Sequence, residues 1–416
     1  MNHSIRRAAC LGTALVIGLA AMPAATQQAS GPIARYTMDA GTVSGMAAMA
    51  GGGNPMAILR GGGGAAVHEL QLRLGSSRAA TGAPSADHFL PAGVGVGPSV
   101  PLITPVSEPS APVVPGRQQQ GQLPSAKLYL FWGCGEHAPA GQPVVIDFAK
   151  MARGQVPPGL YSTAANSPDD WRITQQNSKT FGEWPNGRNS KQVPSSASLR
   201  GDHRIAGNYS PEIAFKLDQD FMPPLQPRSS SLASGAFGLT WNGLPEATGY
   251  YAWAMGAKDM GRGQATEMVW WSSSATQQFG GALGDWLSPA AVVKLVAART
   301  VMPASQTSCT IPAEVRKLGS DNMMLNLYGY GPQSEFAYPP RPANAKAAWK
   351  PEWIARVRFR SNAMTILGMP DMGGFGGAED DADAPDRGRP QQQQSGKPRC
   401  PGGFKGMAMR ASGACT

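Results

Sequence analysis

The chain is poor in charge. Asp, Glu, Lys and Arg together make up only 15% of its 416 residues, a share that disfavours a helical cytosolic enzyme and favours a β-rich, extracytoplasmic protein. Common catalytic signatures are missing too. No G-x-S-x-G, S-x-x-K, P-loop or G-x-G-x-x-G occurs, so the nucleophile turns and phosphate cradles those spacings build are not expected. Beyond the N-terminal region no segment reaches 18 uninterrupted apolar residues, and no membrane-spanning helix is expected after that point. Basic residues form no patch and do not interleave with aromatics, which argues against a nucleic-acid partner.

What is abundant is glycine and proline, 52 and 37 residues, nearly double the average share of about 12%. Much of the chain therefore reads as turn or unstructured segment. At the N-terminus Arg6-Arg7 precede an apolar run from Ala8 to Met22, followed by Pro23-Ala24-Ala25. That pattern implies a secretory signal over residues 1–25 and a periplasmic or secreted mature protein. Residues 26–125 read as a low-complexity, Pro/Gly-rich stretch with one short strand at 67–74, where Leu70, Leu72 and Leu74 share a face. Within it, 27–66 has too little apolar surface to offset ordering its backbone. The tail, 368–416, reads as disordered.

Two folded regions are expected between these arms, 126–225 and 234–367. The first has candidate strands at 127–132, 144–148, 198–208 and 213–217; the second has them at 267–272, 306–311, 323–330 and 353–360. The fold class is therefore all-β, with two β-sandwich-like domains. Val357-Arg-Phe359-Arg alternates cleanly and predicts a half-exposed terminal strand. The best helical stretch is 288–301, with Ser288 as its cap.

In residues 237–257, Phe237, Leu239 and Trp241 alternate with small residues, a polar loop carries Pro245 and Ala247, and Gly249-Tyr250 opens the next strand. This resembles the first half of a fibronectin type III or immunoglobulin-like sandwich. The resemblance implies a Trp packed between two sheets and says nothing about activity.

Four cysteines remain after the signal: Cys134, Cys309, Cys400 and Cys415. An even count in an oxidising compartment favours disulfides, with three connectivities open; pairing Cys400 with Cys415 would leave Cys134 and Cys309 to cross-link the two regions. Cys134-Gly-Glu136-His137 is half a metal site with no second half, and no metal or cofactor is expected. His68-Glu69 begins an H-E-x-x-H that Leu72 ends, Asp380 to Asp383 lacks the glycine of a calcium loop, and Arg200-Gly201-Asp202 is a word too short to carry adhesion.

The aromatics carry the site expectation. Tyr250-Tyr251 and Trp270-Trp271 are adjacent within strands, so one ring of each pair points away from the core unless another segment covers it. With Trp253, these five form the expected binding set, suited to a glycan or an envelope protein partner. Three readings follow: a non-catalytic envelope protein that binds or supports a partner, a carbohydrate-binding module, and a hydrolase using Glu136, His137, Asp202 and His203.

Overall fold

The computed structural model describes residues 31–50, 66–105, 126–151, 153–155, 171–187, 189–258, 267–280, 282–319, 322–344 and 346–368. The signal segment, Cys400, Cys415 and all but the start of the tail lie outside these. Strand accounts for 44% of the described residues and helix for 10%, an all-β protein.

In chain order the strands are β1 (Ala34–Gly45), β2 (Val67–Ser76), β3 (Ala86–Phe89), β4 (Ser99–Pro101), β5 (Lys127–Trp132) and β6 (Val144–Asp147). Then come β7 (Thr180–Trp184), β8 (Gly201–Gly207), β9 (Ile213–Leu217), β10 (Arg228–Ser231), β11 (Phe237–Thr240) and β12 (Gly249–Lys258). The last are β13 (Glu267–Ser272), β14 (Met302–Pro303), β15 (Ser308–Ile311), β16 (Met324–Tyr338) and β17 (Trp353–Ile366). The helices are α1 (Met46–Ala50), α2 (Phe148–Met151), α3 (Pro289–Ala297) and α4 (Ala313–Gly319).

A ten-stranded sheet in the order β6-β5-β13-β12-β16-β17-β1-β2-β7, with β14 beside β12, forms one layer. A four-stranded sheet (β4-β3-β8-β9) and a three-stranded sheet (β10-β11-β15) pack against its inner face. Period-two alternation builds the core between them: Tyr36, Met38 and Ala40 on β1, Leu70, Leu72 and Leu74 on β2, and Val357 and Phe359 on β17 all point inward. They meet Ile205, Ile213 and Phe215 from the four-stranded sheet and Phe237, Leu239 and Ile311 from the three-stranded one. Trp241 is buried between layers, edge-on to Tyr250 at 5.5 Å.

Strands of the two expected regions are interleaved in the large sheet: β5 and β6 pair onto β13, and β7 lies at the opposite edge beside β2. Residues 67–74, expected as a strand, form most of β2 between β1 and β7. The stretch from 26 to 125 is richer in structure than its composition implies. β1, read as unstructured, is a central strand, parallel to β17 and antiparallel to β2, because its alternating Ala34, Tyr36, Met38 and Ala40 gain neighbours on both sides and a layer above. β3 and β4 also fall in this stretch. β17 is likewise interior rather than terminal, flanked by β16 and β1.

The outer face of the large sheet is partly roofed by α3. Ser288 caps it as expected, its Oγ accepting from the Ala291 N–H at 3.2 Å, and Val292 and Leu295 pack on Tyr251 and Tyr330. Gly249 sits beneath this roof; a Cβ there would meet Val292, Val301 and the Met302 carbonyl at about 3 Å.

Candidate functional site

The five aromatics divide between the faces as strand alternation requires. Tyr250 and Trp271 enter the core; Tyr251, Trp253 and Trp270 point outward. The outward rings are nevertheless covered. Tyr251 lies under α3, Trp270 is only 7% exposed, and Trp253 is half-buried. Trp253 and Trp270 stack on one another at 4.5 Å with 11° between planes, and Phe279 closes edge-on over Trp270 at 5.3 Å. The exception that strand alternation left open, cover by another segment, applies here: the sheet's outer face carries its own roof. A planar partner would have to open that stack.

Polar groups beside the stack are less well provided for. Strand register places Ser272, Trp253, Asn326 and Met364 in one cross-strand row and Tyr251, Tyr328 and Asn362 in the next, all on the outer face. In these rows Tyr251 Oη, Ser272 Oγ, Asn326 Nδ2 and Asn362 Oδ1 are buried without a hydrogen-bond partner among the described residues, as is Trp270 Nε1 one row further on. The Tyr251 hydroxyl is close enough to Ser272 for their electrostatics to interact, yet the pair misses hydrogen-bond geometry. Burial chiefly, opposed by Ser272, holds the Tyr251 proton above its ordinary range. An unpaired buried polar group costs about 1–3 kcal/mol, so donors and acceptors gathered on one face suit a neutral, hydroxyl-rich ligand or ordered water.

Further along the same face, charge replaces neutral polarity. Arg356, Arg358 and Arg360 project outward at alternate positions of β17. Arg358 grips the fully buried Asp39 with Nε to Oδ1 at 2.7 Å and Nη2 to Oδ2 at 3.0 Å, and Arg73 joins from β2 at 3.1 Å. Arg360 donates to Glu69 at 2.9 Å and to the Gly284 carbonyl, and lies 3.5 Å from the Trp286 ring centroid. Glu69 reaches it across β1 because Gly41 stands between them in the register and has no side chain. Arg356 pairs with Glu335 at 3.0 Å and covers Trp171 at 3.9 Å. The planar guanidinium suits each of these jobs.

Elsewhere, Cys134 and Cys309 form a disulfide, with Cα atoms 5.1 Å apart and 175 residues between them in sequence. It fastens the loop after β5 to β15. Nearby, exposed His137 bonds Glu314 Oε1 at 3.1 Å. Among the described residues no group of three His, Cys, Asp or Glu side chains could hold a metal ion. His203 is buried on β8 and Asp202 exposed on its opposite side; no hydrogen bond among the described residues joins this pair to Glu136-His137. Arg200 pairs with Asp220 at 3.9 Å. His68, from the broken H-E-x-x-H, faces inward, stacked 3.9 Å from Phe221.

The polar rows and the arginine ladder were outside the sequence reading. Alternating Arg at 356, 358 and 360 is the visible signal for the ladder, but the carboxylates of Asp39 and Glu69 come from 319 and 291 positions away, and no local pattern announces them. No helix among the described residues is long and apolar enough to cross a membrane. No protein family, curated protein or solved structure matches the chain.

Proposed function

We propose that this chain is an exported cell-envelope protein with a non-catalytic binding or structural role. The observation that carries the reading is the Cys134–Cys309 disulfide, since such bonds persist where thiols are kept oxidised, and it accords with the signal-like Arg6-Arg7 and Ala8–Met22 pattern. Interleaved strands give a rigid slab on which loops and rows of side chains hold fixed spacing. The local likeness of 237–257 to a fibronectin type III sandwich is consistent with this role. The test is thiol trapping of the protein recovered from a bacterial host expressing the full chain. Cys134 and Cys309 should resist a maleimide mass tag until reductant is added, with the protein in the envelope fraction. Free thiols on a cytosolic product would refute the proposal.

One observation favours a second reading, carbohydrate binding: hydroxyl and amide groups of Tyr251, Ser272, Asn326 and Asn362, without partners among the described residues, lie in the row of Trp253 or the next. Sugars pair hydroxyls with such groups and lay apolar faces on indoles. A glycan array should then return ligands whose retention falls at least about tenfold on Trp253→Ala or Asn326→Leu, the loss of one or two hydrogen bonds to a buried site. Retention unchanged by both substitutions would dismiss it.

A further inference from the structure

Beneath the four-stranded sheet runs a chain of three ring side chains. Tyr36 Oη on β1 lies 2.7 Å from His88 Nδ1 on β3, His88 Nε2 lies 3.0 Å from His203 Nδ1 on β8, and His203 Nε2 lies 2.7 Å from the Leu199 carbonyl oxygen. The carbonyl can only accept, so His203 Nε2 carries the hydrogen. A neutral ring then leaves Nδ1 as acceptor, which His88 Nε2–H fills, and His88 Nδ1 in turn accepts from the Tyr36 hydroxyl. Every site is used once and every bond points the same way. Tyr36 and His88 are fully buried and His203 is 1% exposed.

The surroundings are apolar. Phe215 stacks on His203 at 5.1 Å, Phe336 stacks behind Phe215 at 4.6 Å, and Tyr36 meets His88 edge-on at 5.4 Å. Charged neighbours lie on the far sides of their strands. On β1, Asp39 faces outward into Arg358 and Arg73; on β3, Asp87 alternates away from His88. On β8, Asp202 and Arg204 are exposed on the opposite side from His203, as is Lys216 on β9, and Glu335 on β16 pairs with Arg356. A proton added to either ring turns its one acceptor nitrogen into a donor. Two N–H groups then face each other, or the tyrosine hydroxyl must turn away, and a cation is left in an apolar shell. Burial, and for His88 the neighbouring His203, already holds both imidazoles below their ordinary range; Asp202 and the Leu199 carbonyl offset this only in part for His203.

We propose that Tyr36, His88 and His203 form an acid-sensitive latch, which holds the four-stranded sheet on the large sheet while both rings are neutral and releases it when either ring takes a proton. Of the triad's bonds Tyr36–His88 is the one that crosses between layers, beside Ser76 Oγ to the Tyr209 carbonyl and the Ile103–Glu183 backbone pair at the edge, and β3 and β8 are adjacent strands of the released unit. Acidification therefore loosens one layer before the rest.

Hydrogen exchange on the full chain tests this directly. From pH 7 to 5.5, after correction for intrinsic rates, amide protection over 86–89 and 201–217 should fall at least about tenfold, the effect of one proton taken up over one pH unit. Amides over 249–256 and 324–330, which the large sheet keeps after the latch opens, should stay at least about tenfold better protected than these at pH 5.5. Equal protection in the two regions at pH 5.5, or no fall over 86–89 and 201–217, overturns the proposal. The triple variant Tyr36→Phe, His88→Leu, His203→Phe should abolish the fall. Should that variant not fold, imidazole 15N spectra of the unaltered chain decide: hydrogen on Nε2 of both rings at pH 7.5 is expected. A ring that titrates at its ordinary pH with protection unchanged refutes the latch.

Discussion

The two faces of the large sheet bury polarity in opposite ways. On the inner face, Tyr36, His88 and His203 are uncharged and satisfy one another in a single file. On the outer face, Asp39, Glu69 and Glu335 are matched by Arg73, Arg356, Arg358 and Arg360, formal charges that range from fully buried at Asp39 to partly exposed at Glu335. Neutral chains cost little to desolvate but fail when one proton arrives; ion pairs tolerate that range of pH but fail when one partner is removed. The difference is set by cover. The inner face has further sheets over it, while among the described residues the outer face is covered by short helices, α2 and α3, and loops.

Removing Asp39 should break the contrast most severely. Asp39→Ala leaves Arg358 and Arg73 facing each other around a fully buried position, and a loss of about 3–5 kcal/mol in urea unfolding is expected. Acid comes next and acts on the other face. Folded-state values for His88 and His203 are depressed, so below the unfolded value of about 6.5 the unfolded chain binds more protons. Stability is therefore full above that pH and falls as pH drops through it, by up to about 2.7 kcal/mol per unit for two rings; urea midpoints at pH 7.5, 6.5 and 5.5 read this out.

Gly41→Ala is a milder cut on the outer face. The new methyl occupies the path of Glu69 to Arg360, while Arg360 keeps the Gly284 carbonyl and Trp286. A cost of about 1–2 kcal/mol is expected, with no change in acid response. Smallest of all is Val293→Lys on the solvent side of α3, 65% exposed. It should move thermal unfolding by no more than about 0.5 kcal/mol equivalent, and a larger loss would mean the roof is itself covered.

The sequence reveals local pattern well and partnership poorly. Strands with dense β-branched or aromatic content, such as 127–132 and 267–272, are legible because their own residues favour pleated structure. So is the Ser288 cap. β1 is hidden because half of its inward set, Ala34 and Ala40 beside Tyr36 and Met38, is small and the strand sits beside glycine-rich tracts that dilute composition; its stability comes from β2 and β17. β7 is hidden in a turn-rich stretch for the same reason. For the latch a faint signal exists. Asp87-His88 and Asp202-His203 repeat one dipeptide in which the acid faces out and the imidazole in. Only strand pairing makes the repeat meaningful, and pairing across 115 residues is not written in either segment.

Parallel pairing of Ala34–Gly45 with Trp353–Met364 has a consequence for biogenesis. Whichever machinery delivers this polypeptide releases β1 long before the strand that will lie beside it. Through that interval the early hairpin of β1 and β2 shows a bare backbone edge able to recruit any other unfinished copy. The large sheet can close only once residue 364 is free, so its central pairing is formed late rather than during emergence.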